Sequence, residues 1–551
     1  MEFVKYCHQD IASSTVDMGQ KPLMLSEMTN EESRGHETNG TVTCARSLAQ
    51  KTFLFEGGLA LLVSSAFGNG LNYLFMMFLA RQLGIEDFGL YALGLTIFNI
   101  LLFIAIAGVD TGTIKFVSEY HAQGRTEDVR QALTTAMTMV MGLGVIAATG
   151  LLLVADPLFG QLYGKPGLTS VLTWFALTLP FAMVGNLLLS ALQAVQIVRY
   201  TAFVKYLWEP IGKWMLACLA LYAGFGLAGV LGSIWLTFAV STVLLLRAAH
   251  VRLGGFSSQG FGAVHRDDIR RFTAYCLPLL LSNIFGIIAP RADIMILGYW
   301  VALQDVGTYL VAFQTAAIPA LVLGAFDVAF PPIMSEAWVR RDYSLLRHSY
   351  HAVHRLSLIV TMPICVLLIV FSKDVLSLFG QAFEGGSVAL TILAIGQLVN
   401  SATGGTNSVL LMTGESRRVA TNTIAYGVSL IGLTAVLIPL WGMTGAAVAA
   451  ASSLVLVNVV RVLQVRRLQG VWPWTLATLK PVAAGLIAGL FFVLVKPYLA
   501  LAYFPALALC GCLVYVASLA ILKFESDDER EFLATLLRLK LVPRWVVQYM
   551  A

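Results

Sequence analysis

The chain has 551 residues, of which 58% are hydrophobic and only 12% charged, and its mean hydropathy is +0.78. This composition excludes a soluble globular domain and indicates a polytopic membrane protein. The formal net charge of +5 is not a nucleic-acid signature, because the basic residues lie in loops between apolar segments. The seven cysteines include no CxxC pair, so neither a disulfide framework nor a metal site is indicated.

Fourteen apolar segments follow the polar residues 1–52, and each approaches the length of about 20 residues that crosses a bilayer. The predicted spans are 57–80, 88–110, 132–155, 170–196, 206–223, 227–247, 274–299, 306–331, 356–379, 386–412, 420–440, 444–463, 482–496 and 501–522. With the N-terminus inside, inner segments hold 31 of the 36 Lys and Arg residues and outer segments hold 4. This bias predicts that both termini are cytoplasmic in the cell membrane.

An internal repeat organises the spans. The segment Leu83–Tyr91 recurs as Val301–Tyr309 at a shift of 218 residues, and Asp110 matches Asp327 at a shift of 217. The shift covers six spans, an even number, so both copies have the same orientation in the membrane. Such parallel repeats are related by an axis along the membrane normal.

The repeat predicts an all-α membrane protein of about fourteen transmembrane helices, in two six-helix lobes related by a parallel pseudo-twofold axis, with two further C-terminal helices. The predicted parts are a disordered cytoplasmic tail at 1–52, an N-lobe at 53–255, a C-lobe at 256–465, the last two spans at 466–525 and an amphipathic cytoplasmic tail at 526–551. The last part is predicted to be a helix that lies on the inner leaflet or on the protein's own cytoplasmic face.

Two charges lie inside the seventh predicted span. Arg291 and Asp293 each cost roughly 2.5–3.5 kcal/mol at membrane depth, and on a helix they point about 200° apart. The first copy has Tyr73 and Phe75 at the matching positions, so these charges break the repeat. We predict an anion site at Arg291 on a cavity wall, with Asp293 as a further substrate-binding candidate. The alternative is a buried ion pair with another helix.

Further charges at the ends of spans are candidates for gating or ion coupling: Asp110, Lys115, Glu119, Asp327, Glu336 and Arg340. Four of these residues form two pairs with i,i+4 spacing, Lys115–Glu119 and Glu336–Arg340, at the inner ends of the second and eighth spans. They are predicted to form an inner gate, or alternatively only helix-end ion pairs.

Several segments resemble one known family. The features are ARxLGxxxFGxY at Ala80–Tyr91, GVDT at Gly108–Thr111, FVSEY at Phe116–Tyr120 and RADIMILGY at Arg291–Tyr299. Together they resemble polysaccharide flippases of the polysaccharide-transporter branch of the multidrug/oligosaccharidyl-lipid/polysaccharide exporter superfamily, over about residues 52–520.

The resemblance implies a two-lobed bundle that moves an undecaprenyl-pyrophosphate-linked oligosaccharide from the inner to the outer leaflet by alternating access. It implies the bilayer and this lipid-linked substrate as partners, with a glycan polymerase and glycosyltransferases of the same pathway as candidate partners. We expect a monomer without a cofactor, a metal or a nucleic-acid partner.

Other substrate-binding candidates follow from this expectation. Lys213, one helical turn after Glu209, is predicted to meet a pyrophosphate, although it also suits ordinary anchoring at the inner surface. Asn69, Asn72 and Tyr73 in the first span are candidates to contact the substrate. Asn side chains at these positions also suit hydrogen bonds between helices.

Two other functions fit the sequence less well. A cation-coupled multidrug exporter of the same superfamily commonly places a carboxylate in the first span, and none lies there. A membrane glycosyltransferase needs large hydrophilic loops with acidic residues, whereas the longest internal loop, about 247–271, holds only Asp267 and Asp268. No nucleotide-binding motif is present, so we predict a transporter rather than an enzyme.

The predicted topology can be tested by labelling. Single cysteines placed within residues 333–352 of an otherwise cysteine-free chain should react with a membrane-impermeant maleimide only after the membrane is opened. The positive-inside bias puts that segment in the cytoplasm. Labelling of this segment in intact cells would contradict both the topology and the repeat.

Overall fold

The computed structural model describes residues 38–197, 199–254, 266–498 and 504–522; within them it describes no side chains at 38–63, 278–279, 281–289, 325–329, 476 and 504–505. Residues 1–37 of the predicted N-terminal tail (1–52), the predicted C-terminal tail at 526–551 and the side chain of Asp327 therefore lie outside the described residues. The described residues up to Ala60, whose backbone is helical from Thr38, belong to one unit, and those from Leu61 onward belong to another. The following paragraphs concern the second unit.

The described chain is helical throughout and contains no strand. Its α-helices are α1 (Thr38–Ile106), α2 (Val109–Ala122), α3 (Thr126–Val154), α4 (Pro166–Ala194), α5 (Glu209–Tyr222), α6 (Gly226–Leu253), α7 (Arg266–Trp300), α8 (Leu303–Ala316), α9 (Ile318–Ala329), α10 (Pro331–Val339), α11 (Tyr343–Val370), α12 (Ser372–Ser377), α13 (Ser387–Thr403), α14 (Thr406–Met412), α15 (Ser416–Gln469), α16 (Leu479–Val495) and α17 (Phe504–Ile521). Two π-helical segments, Ala155–Leu162 and Thr201–Trp208, continue α3 and precede α5.

Within the described residues, nine helices are long and apolar enough to cross a membrane, so the protein is a multi-pass membrane protein. Two of the nine, Ser64–Ile106 and Ser416–Gln469, contain a glycine whose backbone is not helical. Gly84 has φ 77° and Gly442 has φ 54°, a region that favours glycine. Each glycine lies in a loop predicted between two spans, so each long helix is two helices joined at a kink.

Helix α7 packs on both halves of the sequence. Near its start, Phe272 lies 4.6 Å from the ring of Phe116 on α2, measured between ring centroids, and the side chain of Cys276 covers Gly112. Near its end, the fully buried Asp293 bonds to Tyr309 on α8. The helix therefore links residues of the first half to those of the second.

Pairs of amide side chains join the helices of the second half. Asn422 and Gln464, on opposite sides of the Gly442 kink, exchange two hydrogen bonds of 2.7 and 3.0 Å. The amide of Asn458 donates to Asn400 on α13 at 2.8 Å. In a membrane a buried amide needs such a partner, because no water is available. Four amides in this half thus serve helix packing.

We predict that Asn422→Ala destabilises the protein by about 1–2 kcal/mol, because Gln464 loses both of its amide bonds. The double variant Asn422→Ala/Gln464→Ala should show a coupling free energy of about 0.6 kcal/mol, and at most about 1.7 kcal/mol. Thermal unfolding in detergent measures both. Asn72→Ala is the matched control, because among the described residues the Asn72 side chain makes no hydrogen bond. Additive single losses would show that the two amides are not coupled.

Candidate functional site

One end of the bundle is closed by contacts between the two halves of the sequence, and we call this set of contacts the seam. Its first-half members are Tyr73, Arg81, Glu86, Gly89, Leu93, Tyr163 and Lys165, and its second-half members are Gly298, Tyr299, Val301, Gln304, Gly307, Thr315, Leu378 and Phe379. The charge bias predicts that this end faces outward, since Arg81 and Lys165 lie in outer loops.

Residues that match in the predicted repeat touch each other at the seam. The amide of Gln304 donates to the carboxylate of Glu86 at 2.9 Å, and these residues are 218 apart, the same shift as the repeat. Gly89 and Gly307 are also 218 apart, and a Cβ added at Gly307 would lie 3.2 Å from the Cα of Gly89. Matching positions contact each other directly only near an axis that relates the two copies. These contacts are the ones expected on the axis of the predicted repeat.

The seam depends on glycine at position 89. A Cβ added there would collide with the backbone carbonyl of Leu303. Backbone atoms cannot move aside as the end of a flexible side chain can, so a larger residue would push the two halves apart. The sequence repeat aligns Gly89 with Gly307, but only the structure shows that Gly89 lies in close contact with the second half.

Two basic side chains of the first half cap carbonyl groups of the second. Lys165 donates to the backbone oxygens of Gly298 and, at 2.8 Å, of Val301, where α7 ends. A cation is favourable at the negative end of a helix dipole. Burial at this junction lowers the pKa of Lys165 from its ordinary value. Arg81 donates through Nε to the oxygen of Leu378 at 2.6 Å.

Arg291 lies on the face of α7 that points to the first half. Gly298, seven residues later and therefore on nearly the same face, packs against Leu93, with its added Cβ 2.7 Å from a Leu93 methyl group. Arg291 is then about 10 Å along the helix from the seam, on the side away from the seam. It is half-buried, and among the described side chains it makes no ion pair or hydrogen bond. Among the described residues, only the electrostatic attraction of the nearby Asp293 acts on this guanidinium, which leaves its N–H groups available to an anion.

Asp293, only two residues away, has a different environment. Its side chain is 0% exposed. One carboxylate oxygen accepts a hydrogen bond from the Tyr309 hydroxyl at 2.6 Å, and the other accepts from the backbone N–H of Ile294 at 2.8 Å. In this conformation the carboxylate holds α7 to α8 and has no face open to a ligand. Its predicted contact with substrate stays a prediction.

The first span presents Asn69, Asn72 and Tyr73 on one face. The hydroxyl of Tyr73 forms a hydrogen bond of 2.8 Å with the Thr315 hydroxyl, so this face points toward the second half. Asn69 is one turn away from Tyr73 on the side away from the seam, and both asparagines are exposed. Neither makes a side-chain hydrogen bond within the described chain, unlike the paired amides of the second half. The structure therefore separates amides used for packing from amides that remain available.

The predicted gate pairs differ from each other. Glu336 and Arg340 form an ion pair of 2.8 Å, with both side chains largely exposed. No ion pair joins Lys115 to Glu119 within the described residues, because Lys115 lies over the ring of Tyr275 instead, 4.0 Å from its centroid. The half-buried Asp110 accepts a hydrogen bond from the backbone of Thr111 at 2.8 Å. None of these contacts joins the seam, and the gating roles stay predictions.

No group of three or more His, Cys, Asp and Glu side chains in the described part of the chain is arranged to hold a metal ion. The candidate site therefore rests on cationic and amide side chains. Sequence reasoning missed Lys165, Gly298 and Tyr309 as members of this region. For Gly298 alone the sequence contained an indication: it lies seven residues after Arg291 and so on the same helix face, where a glycine permits a close contact with another helix.

A family model described as "Polysaccharide biosynthesis protein" matches residues 78–388, more than half of the chain. The chain belongs to this family. It is 26% identical over 268 residues to the succinoglycan biosynthesis transport protein of Rhizobium meliloti (strain 1021), covering 48% of this chain and 50% of that one. It is 26% identical over 283 residues to the lipid III flippase of Escherichia coli (strain K12), covering 48% and 63%. The chain thus spans half to under two thirds of the length of these relatives.

A third relative matches over more of its length. The probable low-salt glycan biosynthesis flippase of Haloferax volcanii is 23% identical over 407 residues, covering 73% of this chain and 81% of its own.

Two solved structures share the fold. The lipid II flippase MurJ in an inward closed conformation has a TM-score of 0.68 at 12% identity, covering 85% of this chain and 98% of its own. An inward-facing multidrug resistance transporter, described as a member of the MOP superfamily, has a TM-score of 0.62 at 16% identity, covering 74% of this chain and 94% of its own. The structural likeness establishes the fold of this polysaccharide biosynthesis family member.

We predict that Gly89→Ala opens the seam. The added methyl group meets the Leu303 carbonyl, so the two halves can no longer close on each other. In an otherwise cysteine-free chain carrying Thr315→Cys, at a seam position that is fully buried, the labelling rate with a water-soluble maleimide should rise several-fold when Gly89→Ala is added. Gly70→Ala is the matched control, because an added methyl group there meets nothing within 4 Å. Equal labelling in the Gly89→Ala and control chains would show that the seam tolerates a side chain at position 89.

Proposed function

We propose that this protein flips a lipid-(pyro)phosphate-linked oligosaccharide from the cytoplasmic to the outer leaflet. One observation carries the proposal: Arg291 is a half-buried guanidinium without an ion-pair partner among the described residues, and it faces the other half of a polysaccharide biosynthesis family member. Guanidinium binds phosphate oxygens bidentately. A diphosphate that crosses an apolar slab needs a cation to offset part of its desolvation.

The proposed architecture is fourteen spans in two six-helix lobes with two further helices. The kinks at Gly84 and Gly442 support it, because they divide two long helices where the sequence predicts loops. The hydrogen bond between Glu86 and Gln304 supports the pseudo-twofold axis, since those residues are 218 apart. The axis runs through the seam and relates the N-lobe to the C-lobe.

The seam is the proposed outer gate of an alternating-access cycle. Arg81 and Lys165 belong to the predicted outer loops, so in this conformation the route to the outer leaflet is closed. Arg291, Asn69 and Asn72 lie on the inner side of that closure, where a substrate arriving from the cytoplasmic leaflet meets them. Both termini are cytoplasmic, and the protein resides in the cell membrane.

The membrane potential and an ion gradient are the proposed energy sources. An anionic head group that moves outward across an inside-negative membrane gains about 2.3 kcal/mol per charge per 100 mV. Asp110 and Asp327 are the proposed sites at which an ion is coupled. The proposed inner gate is formed by the segments that carry Lys115, Glu119, Glu336 and Arg340, opposite the seam.

A multidrug exporter has the same fold and is the second candidate. The described part of the first span, from Ser64 to the Gly84 kink, contains no carboxylate that could exchange a cation for a drug. The relatives of known name are glycan transporters and flippases. We therefore favour the flippase function, without enzyme activity, for a monomer that receives its substrate from glycosyltransferases and delivers it to a polymerase.

Arg291→Ala should reduce the rate of flipping by about ten- to a hundredfold, because it removes a charge-assisted bidentate contact with phosphate. The protein should still insert and accumulate to the normal level. Arg291→Lys should recover only part of the activity, since an ammonium offers a point charge instead of a planar fork. Flipping is measured as restoration of surface glycan in a strain that lacks its own flippase.

Arg418→Ala is the matched control, because Arg418 forms an exposed ion pair with Glu415 that contributes little to stability. A different result would reassign Arg291. If Arg291→Ala lost protein level together with activity, and a charge exchange with an acidic residue restored both, Arg291 would be half of a structural ion pair.

A further inference from the structure

A second pair of charges lies inside the first half. Glu209 and Lys213 are one turn apart on α5, and both are half-buried. A charged side chain in this position is expensive unless it faces the interior of the bundle, water or a ligand. The π-helical segment Thr201–Trp208 leads directly into this turn, and π-helical turns occur frequently at functional sites.

Neighbours on α5 show that both charges point into the bundle. Gly212 packs against Thr237 of α6, while Trp214 stacks on Phe78 of the first span with ring centroids 5.0 Å apart. Lys213 lies between these two directions on the helix, so it points between α6 and the first span. Its Nζ is 5.0 Å from the ring centroid of Phe238.

The two charges are close but not locked together. Within the described residues no ion pair joins Glu209 to Lys213, and the ammonium rests on an aromatic ring. A cation–π contact holds the ammonium without using its three N–H donors. The indole N–H of Trp208, in the preceding turn, is buried without a hydrogen-bond partner. Hydrogen-bond donors without an acceptor thus meet in this region, as expected where an anion binds.

Few other charges face this pair. The π-helical segment contributes Lys205, which is exposed and attracts the Glu209 carboxylate electrostatically. The basic residues of α6 begin at Arg247, nine residues beyond Phe238 and therefore about 13 Å along the helix. From the first span the polar side chain at this level is Asn72, which is neutral. Glu209 is therefore the balancing negative charge for Lys213 when the site is empty.

We propose that Glu209 is the resting counter-ion of Lys213, and that a lipid diphosphate takes its place while the carboxylate takes up a proton from water. The inference rests on the proposed function and extends it to a second anion contact. The proton adds to a carboxylate oxygen of Glu209, and no covalent bond of the lipid changes. Two negative groups compete for one ammonium, so neutralising the weaker competitor favours binding of the diphosphate. Loading is therefore favoured at lower pH on the side where the site is open.

The test uses the full chain in nanodiscs of neutral lipid, with farnesyl pyrophosphate as the probe. Calorimetric titrations in two buffers of different ionisation enthalpy give both the affinity and the number of protons taken up. The terminal phosphate of the probe itself titrates near neutral pH, so Glu209→Gln measures the probe's own proton exchange. Per bound probe, the wild-type protein should take up a measurable fraction of one proton more than Glu209→Gln does. Glu209→Gln should bind about tenfold more tightly. Lys213→Gln should bind at least about tenfold more weakly.

The double variant Glu209→Gln/Lys213→Gln decides how the carboxylate acts. If Glu209 acts as the counter-ion of Lys213, the double variant binds as weakly as Lys213→Gln. If Glu209→Gln still tightens binding without the lysine, the carboxylate repels the probe directly and the counter-ion role is wrong. Glu415→Gln, which changes a half-buried carboxylate paired with Arg418, should behave as the wild type does.

Two results would overturn the inference. They are proton uptake by the wild-type protein that does not exceed that of Glu209→Gln between pH 6 and 8, and absence of probe binding. The proposed function has its own readout, which is restoration of surface glycan in cells. A protein that restores glycan but takes up no more protons than Glu209→Gln refutes the counter-ion alone. A protein that binds the probe with proton uptake but restores no glycan refutes the flippase function alone.

Discussion

The close approach of Gly89 and Gly307 is the constraint on which the arrangement of the candidate site depends. Two backbones meet there because neither residue has a side chain. The bond between Glu86 and Gln304 and the cap formed by Lys165 follow from that approach, since both need the halves within hydrogen-bond distance. The seam also serves as the reference for side-chain positions: Tyr73 lies at the seam, and Arg291 lies about 10 Å from it along α7.

Inside the membrane, each polar group needs a partner, and the structure meets this need in two ways. Asp293 is fully enclosed and bonded to Tyr309, and Asn422 is paired with Gln464. Arg291 and Lys213 form no direct ion pair among the described residues, although Asp293 and Glu209 lie near enough to attract them. The bonded side chains stabilise contacts between helices. The two basic side chains remain available to bind an anion, at a cost in stability. Such a cost is expected at functional sites, where binding of an anion offsets it.

The fold alone does not decide what is transported, because flippases and multidrug exporters share it. The placement of charge is more informative. A cationic side chain in α7 and another in α5 suit an anionic lipid head group, and the described part of the first span has no carboxylate to suit a cationic drug. The family assignment and the names of the relatives agree with this distribution.

The sequence by itself determined the membrane class, and it predicted the order of the apolar helices and the repeat, because each depends on local composition and periodicity. It also singled out Arg291, since a charge inside an apolar stretch is visible without coordinates. Tertiary structure alone showed that Asp293 is bonded to Tyr309 and that Lys115 lies on Tyr275 instead of pairing with Glu119. It alone showed that Gly89 meets Leu303. These facts depend on which helix faces which, and that is set by packing between residues far apart in the chain.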